Sequence, residues 1–153
     1  MSLTREHFEQ LTKSSPDIIV GTDRKGRVVY FNDGAHASLG YENEEVLGQF
    51  VGIFYPSVEE ARRVSNIMRG PEHGGPGVCN TLETKFGARG GESIPVAISG
   101  TILYDEDGLE DGTIGFAKDL REILHKDQLA TLGEVAIGLS HEINNPLAVI
   151  VNQ

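Results

Sequence analysis

The spacing of hydrophobic and polar residues changes character twice along the chain, and each change marks a change of element. Phe8 and Leu11 sit at helical spacing in a polar stretch from residue 4 to 13, which predicts a short helix ended by Ser14-Ser15-Pro16. Ile18-Ile19-Val20 and Val28-Val29-Tyr30-Phe31 are strand-like runs on either side of Asp23-Arg24-Lys25-Gly26, the composition of a hairpin turn. Asn32-Asp33 supplies a helix cap ahead of Ala35, Ala37 and Leu39, and Gly40 stops that helix. Glu44 to Gly48 reads as a further helical turn. Pro56 and Ser57 then open a helix in which Val58, Ala61, Arg62, Ser65 and Met68 keep three-to-four spacing up to Gly70-Pro71. Gly70 to Gly77 is a loop.

From Val78 the period becomes strand-like. Thr81 to Phe86, Ile94 to Tyr104 and Thr113 to Ala117 are predicted strands, with turns at Arg89-Gly90-Gly91-Glu92 and across the polar run Asp105 to Asp111. The result is an α+β domain of five antiparallel strands, with helices inserted between the second and third. After Lys118 the pattern is helical again. Residues 119–145 hold no proline and two glycines, Gly133 and Gly138. Three segments follow: 1–13, a leader and short helix; 14–118, the sheet domain; and 119–153, a connecting helix that runs into the start of an associating helix.

The last segment carries chemistry. Leu129, Leu132, Ala136, Leu139, Ile143, Leu147 and Ile150 advance in steps of three and four, and at about 100° per residue all fall within roughly 40° of Ile143. Such a seam predicts a coiled coil, most simply with a second copy of the chain. By the same rule His141 lies about 160° from the seam centre, with Asn145 one turn on and Glu142 at the flank. Pro146 removes the backbone donor that would bond the Glu142 carbonyl, so a kink beside His141 is expected. A neutral imidazole is a nucleophile near neutral pH, an adjacent carboxylate can hold one ring nitrogen, and a carboxamide one turn away can orient a water. Phosphoryl transfer suits this patch. Zinc does not, because His141 has no second histidine four residues on.

Charge and composition narrow the partners. The formal charge is −10 and the pI about 4.9, which disfavours nucleic acid and anionic membrane surfaces and fits protein partners. Cys79 is the single cysteine, so no internal disulfide forms. No apolar run is long enough to span a bilayer and no signal peptide opens the sequence; a cytoplasmic location is the expectation.

His141-Glu142-Ile143-Asn144-Asn145-Pro146-Leu147, preceded by Leu132-Gly133-Glu134 and Leu139-Ser140, resembles the H-box of the dimerisation and histidine-phosphotransfer domain of sensor histidine kinases. The resemblance implies His141 as phosphoacceptor, Glu142 as assisting base and Asn145 as the group used in dephosphorylating a response regulator. It further implies a homodimer, a response-regulator receiver domain as partner, and an ATP-binding catalytic domain that these residues do not include. The sheet region resembles a PAS domain through Ile18 to Asp23 with Gly26, Tyr30-Phe31-Asn32, Leu39-Gly40-Tyr41, Glu45 to Gly48, Gly90-Gly91-Glu92 with Pro95-Val96, and Gly115-Phe116 with Asp119-Leu120-Arg121. PAS domains often end in Asp-Ile-Thr, and here the hydroxyl position is Arg121. Such domains bind small ligands, haem or flavin, or only dimerise, and the residues identify no cofactor. Cys79 lacks the flavin-reactive motif and reads as an ordinary cysteine near a strand edge. His36, His73 and His125 read as surface residues. Asp105-Glu106-Asp107 with Glu110-Asp111 reads as a solvated hairpin rather than a cation site.

Overall fold

The computed structural model describes residues 4–70 and 77–126. The element order is α1 (Arg5–Lys13), β1 (Ile18–Asp23), β2 (Val28–Phe31), α2 (Asp33–Leu39), α3 (Asn43–Val46), a 3-10 turn (Val51–Phe54), α4 (Val58–Arg69), β3 (Val78–Gly87), β4 (Ser93–Tyr104) and β5 (Glu110–Asp119). The strands form one antiparallel sheet in the order β2-β1-β5-β4-β3. This is the five-stranded sheet with inserted helices that the periodicity predicts. The long helix with its seam, and His141, Glu142 and Asn145, lie outside the described residues, as does His73.

Strand length is set by pairing as well as by hydrophobicity, and two strands are longer than their apolar runs. The expected third strand, Thr81 to Phe86, starts at Val78. The expected fifth, Thr113 to Ala117, spans Glu110–Asp119, because Tyr104 pairs with Glu110 and Val96 with Asp119 across to β4. The β4–β5 hairpin therefore closes over a tighter loop than Asp105 to Asp111. The Asp105 carboxylate accepts from the Asp107 and Leu109 amides at 2.9 Å each. The domain also continues past Lys118: the Leu120 amide donates to the Pro95 carbonyl at 2.9 Å, and one compact unit runs to Leu120.

One buried side chain joins α1, β1 and α2. The Asn32 carboxamide oxygen accepts from the Ile19 amide on β1 and from the Ala35 amide of α2, both at 2.9 Å, so it caps α2 from inside the domain. Its amide group donates to the Thr12 and Asp17 carbonyls at 2.8 and 2.9 Å, with a longer contact to Ser15. This ties the end of α1 to the sheet, and the Thr12 hydroxyl meets the Tyr30 hydroxyl at 2.6 Å. Gly34 follows from the same crowding, since a Cβ there would lie 2.2 Å from the Asp17 carbonyl oxygen.

The core lies between the inner face of the sheet and the helices inserted after β2. Phe54 sits at its centre, stacked on Phe31 at 5.8 Å and flanked by Tyr41 and Phe86. Cys79, the second residue of the edge strand β3, is paired with Gly100 of β4 and buried in this core. Just beyond it, Thr81 has φ +46° at a bulge in β3, where its amide donates to Ser99 Oγ at 3.2 Å.

Candidate functional site

Beside the aromatic cluster the core is not filled. A cavity of about 320 Å³ lies between α4 and the inner face of β1, β5 and β4. α4 turns Ala61, Val64, Ser65 and Met68 toward it, one face of a helix at three-to-four spacing. β1 contributes Ile18, Val20 and Thr22, which alternate with residues on the opposite face. The floor is bare: Gly100 and Gly115 line the cavity and are direct partners across β4 and β5. The size is near the lower end of ligand sites, roughly 300–1,000 Å³.

Polar groups are few and mostly committed. Inside, the Thr22 and Thr113 hydroxyls bond to each other at 2.7 Å. At the rim, the Arg69 guanidinium donates to both carboxylate oxygens of Glu110, at 3.2 and 2.9 Å, and also to Ser65. This pair joins the end of α4 to the start of β5. A second pair, Arg24 to Asp111 at 3.1 Å, joins the β1–β2 turn to β5. The Asp23 carboxylate is held by the Lys25 and Arg27 amides at 2.9 and 3.0 Å, which lowers its pKa below the ordinary value, the Arg27 amide foremost. Lys25 is exposed on the turn.

A clasp fixes α4 over the sheet. Arg63 donates to both oxygens of Glu60, the longer bond at 2.9 Å, and Thr84 of β3 donates to the same carboxylate. The Arg63 bonds, followed by the Thr84 bond, hold Glu60 down at about 2. Tyr55 packs edge-on against Phe86 at 5.3 Å, and burial pushes its phenol pKa upward.

The residues weighed from sequence fall elsewhere. His36 has its Nδ1 2.8 Å from the Tyr41 carbonyl, which raises its pKa, with the Glu42 carboxylate adding to the rise; its side chain is 48% exposed and does not line the cavity. His125 is exposed on the helical residues 121–126. Burial raises the Cys79 thiol pKa, and Cys79 is also absent from the cavity lining. The acidic hairpin is spent on its own turn and on two arginines, and among the described residues no cluster of metal-ligating side chains occurs. The cavity itself was missed in sequence. Its signal was the pair Gly100 and Gly115, each inside a strand where glycine is out of place.

The PAS fold family matches residues 6–120, three quarters of the chain. The chain belongs to the PAS family. The chain is similar to the sensor protein FixL of Bradyrhizobium diazoefficiens, at 30% identity over 97% of this chain and 32% of FixL. It is also similar to the signal transduction histidine-protein kinase AtoS of Escherichia coli, at 27% identity over 96% of this chain and 24% of AtoS. The chain thus spans about a third or less of the length of these sensor kinases. Among solved structures, the PAS domain of a protein from Colwellia psychrerythraea superposes with a TM-score of 0.67 at 21% identity, covering 76% of this chain and 97% of that one. An RNA-binding light-oxygen-voltage receptor superposes with a TM-score of 0.64 at 19% identity, over 83% and 36%. At these identities the structural likeness speaks for the fold alone. Among the described residues no helix is long and apolar enough to cross a membrane.

Proposed function

We propose that this chain is the sensor and phosphoacceptor portion of a two-component sensor histidine kinase, with His141 carrying the phosphoryl group. One observation bears most of the weight: the seven-residue run from His141 to Leu147 follows a PAS domain whose relatives include sensor histidine kinases. Helical periodicity in the sequence sets His141 opposite the apolar positions from Leu129 to Ile150, and a helix pair built on those positions would leave the imidazole open to a catalytic domain and then to a response-regulator aspartate. The imidazole attacks the γ-phosphorus of ATP. A P–N bond forms, the bond to the bridging oxygen breaks, ADP leaves with its electron pair, and Glu142 takes the ring proton. Asn145 orients water for the hydrolytic direction at the regulator.

The PAS cavity is the sensor's ligand site in this reading. It holds a small molecule between α4 and the sheet, and occupancy acts on β5, which leads directly into Leu120 and the segment beyond it. The test supplies the chain with a histidine-kinase catalytic domain and labelled ATP, and compares it with His141→Gln. Label on the wild type and none on the variant is the expected result; equal labelling overturns the assignment. A PAS module that only binds a ligand and dimerises predicts no label on either, with self-association lost in Leu139→Asp.

A further inference from the structure

We propose that Phe50 is the door of the cavity: its ring covers the mouth and swings aside about its own Cα–Cβ bond to admit and release a ligand. The proposal rests on the cavity being the sensor's ligand site, and it adds the route by which that site fills. Phe50 lines the cavity and is also 55% exposed, so one ring has the cavity on one side and solvent on the other. It stands beside the turn Asp23-Arg24-Lys25-Gly26, all four residues of which line the cavity too.

The ring sits in a slot made by two glycines. A Cβ on Gly26 would lie 2.9 Å from Phe50 Cε2, and a Cβ on Gly52 would lie 2.5 Å from Phe50 Cε1. These atoms belong to opposite edges of the ring, so the two glycines flank it on both sides. Gly26 has φ +78°, which favours glycine for the sake of its own backbone. Gly52 has no positive φ and lies within the 3-10 turn, where glycine is a poor choice on conformational grounds. The ring edge accounts for it, because a side chain at position 52 would push Phe50 out of its seat.

The backbone that carries the ring is pinned and the side chain is not. The Val28 amide donates to the Gln49 carbonyl and the Val51 amide to the Gly26 carbonyl, both at 2.8 Å, which holds the chain on either side of Phe50. None of the close ring pairs among the described residues involves Phe50, whereas Phe54 packs against three other rings. Other parts of the mouth are tied across elements, Arg69 to Glu110 and Arg24 to Asp111, and α4 is clasped to β3 through Glu60 and Thr84. Opening the cavity there would break ion pairs or lift a helix. Turning Phe50 breaks its contacts with the slot and the cavity wall, and one step between staggered rotamers is enough.

The test follows xenon, an uncharged probe that enters apolar cavities, into and out of the whole chain. Saturation-transfer NMR gives the exchange rates, and the methyl signals of Val64, Met68 and Ile98 report occupancy of the cavity. Phe50→Ala is expected to raise the entry and exit rates together, each about tenfold, with the dissociation constant held within about a factor of two. A residue that only forms wall would raise exit alone, because its loss removes contacts with the bound atom without widening the way in. Gly52→Ala keeps the ring but fills its seat. It is expected to raise both rates by a lesser factor, and it decides the matter if Phe50→Ala loses native signal dispersion. The proposal is overturned if xenon shifts none of these methyl signals, if exit rises without entry, or if a folded variant of either kind exchanges xenon at the wild-type rates. Wild-type rates in the variants beside normal labelling of His141 would end the door and leave the kinase reading standing, so the two failures are distinguishable.

Discussion

Replacing Asn32 by alanine removes the one side chain that α1, β1 and α2 share. The Ile19 amide loses its 2.9 Å acceptor inside the core, and a buried donor left without a partner costs about 1–3 kcal/mol. The Ala35 amide loses its cap, worth about 1 kcal/mol. The Thr12 and Asp17 carbonyls lose the donor that docks the end of α1, although Thr12 keeps a contact from the Ser15 amide at 3.3 Å. Together these give a loss of about 2–4 kcal/mol, a large part of the roughly 5–15 kcal/mol that stabilises a domain. Urea unfolding followed by far-ultraviolet circular dichroism measures it. Asn32→Asp refines the test. It keeps both acceptor bonds but turns a second oxygen toward the two carbonyls. The folded state therefore disfavours its ionised form, and its penalty should grow as pH rises above the ordinary aspartate value near 3.9. A loss below about 1 kcal/mol for Asn32→Ala, well short of these bonded-group magnitudes, would refute the shared-hub account.

Gly34→Ala should destabilise the domain by about 1–3 kcal/mol or more, since its Cβ would lie 2.2 Å from a backbone carbonyl that cannot swing away; the same urea titration reads it. Thr81→Gly should stabilise by up to about 1 kcal/mol, because relief of a left-handed β-branched residue exceeds the added freedom of the unfolded chain; a lower melting temperature would contradict this. The Glu60 clasp gives a pH dependence. Its folded pKa of about 2 lies below the ordinary 4.5, so its contribution is present above 4.5 and is lost as pH falls toward 2. With Glu60 21% and Arg63 45% exposed, solvent screening limits it to about 1 kcal/mol. The stability difference between wild type and Glu60→Gln should shrink between pH 5 and 3, and a constant difference would argue against the clasp.

The elements were largely legible because apolar spacing, turn glycines and caps are local signals. Asn32 before Ala35 and Gly40 after Leu39 both act as their positions suggest. What local spacing missed was set by partners distant in sequence. Glu110 and Asp111 read as a polar turn, yet they open β5, because β4 supplies the hydrogen bonds and Arg69 and Arg24 take their charges. The burial of Cys79 was not legible because which residues of β3 face the core depends on its register with β4. The cavity was invisible for a related reason: it is the space left where two strand glycines meet α4, and their register is not written in either strand alone.

The central claim is that His141 accepts a phosphoryl group on a chain whose sensor is the PAS domain. The most direct measurement is site mapping by tandem mass spectrometry after phosphorylation by a histidine-kinase catalytic domain, under conditions that preserve acid-labile P–N bonds. The account predicts a single phosphohistidine at position 141, stable to base and lost in acid. A phosphate on any other residue, or an unmodified His141 beside an active catalytic domain, would contradict it.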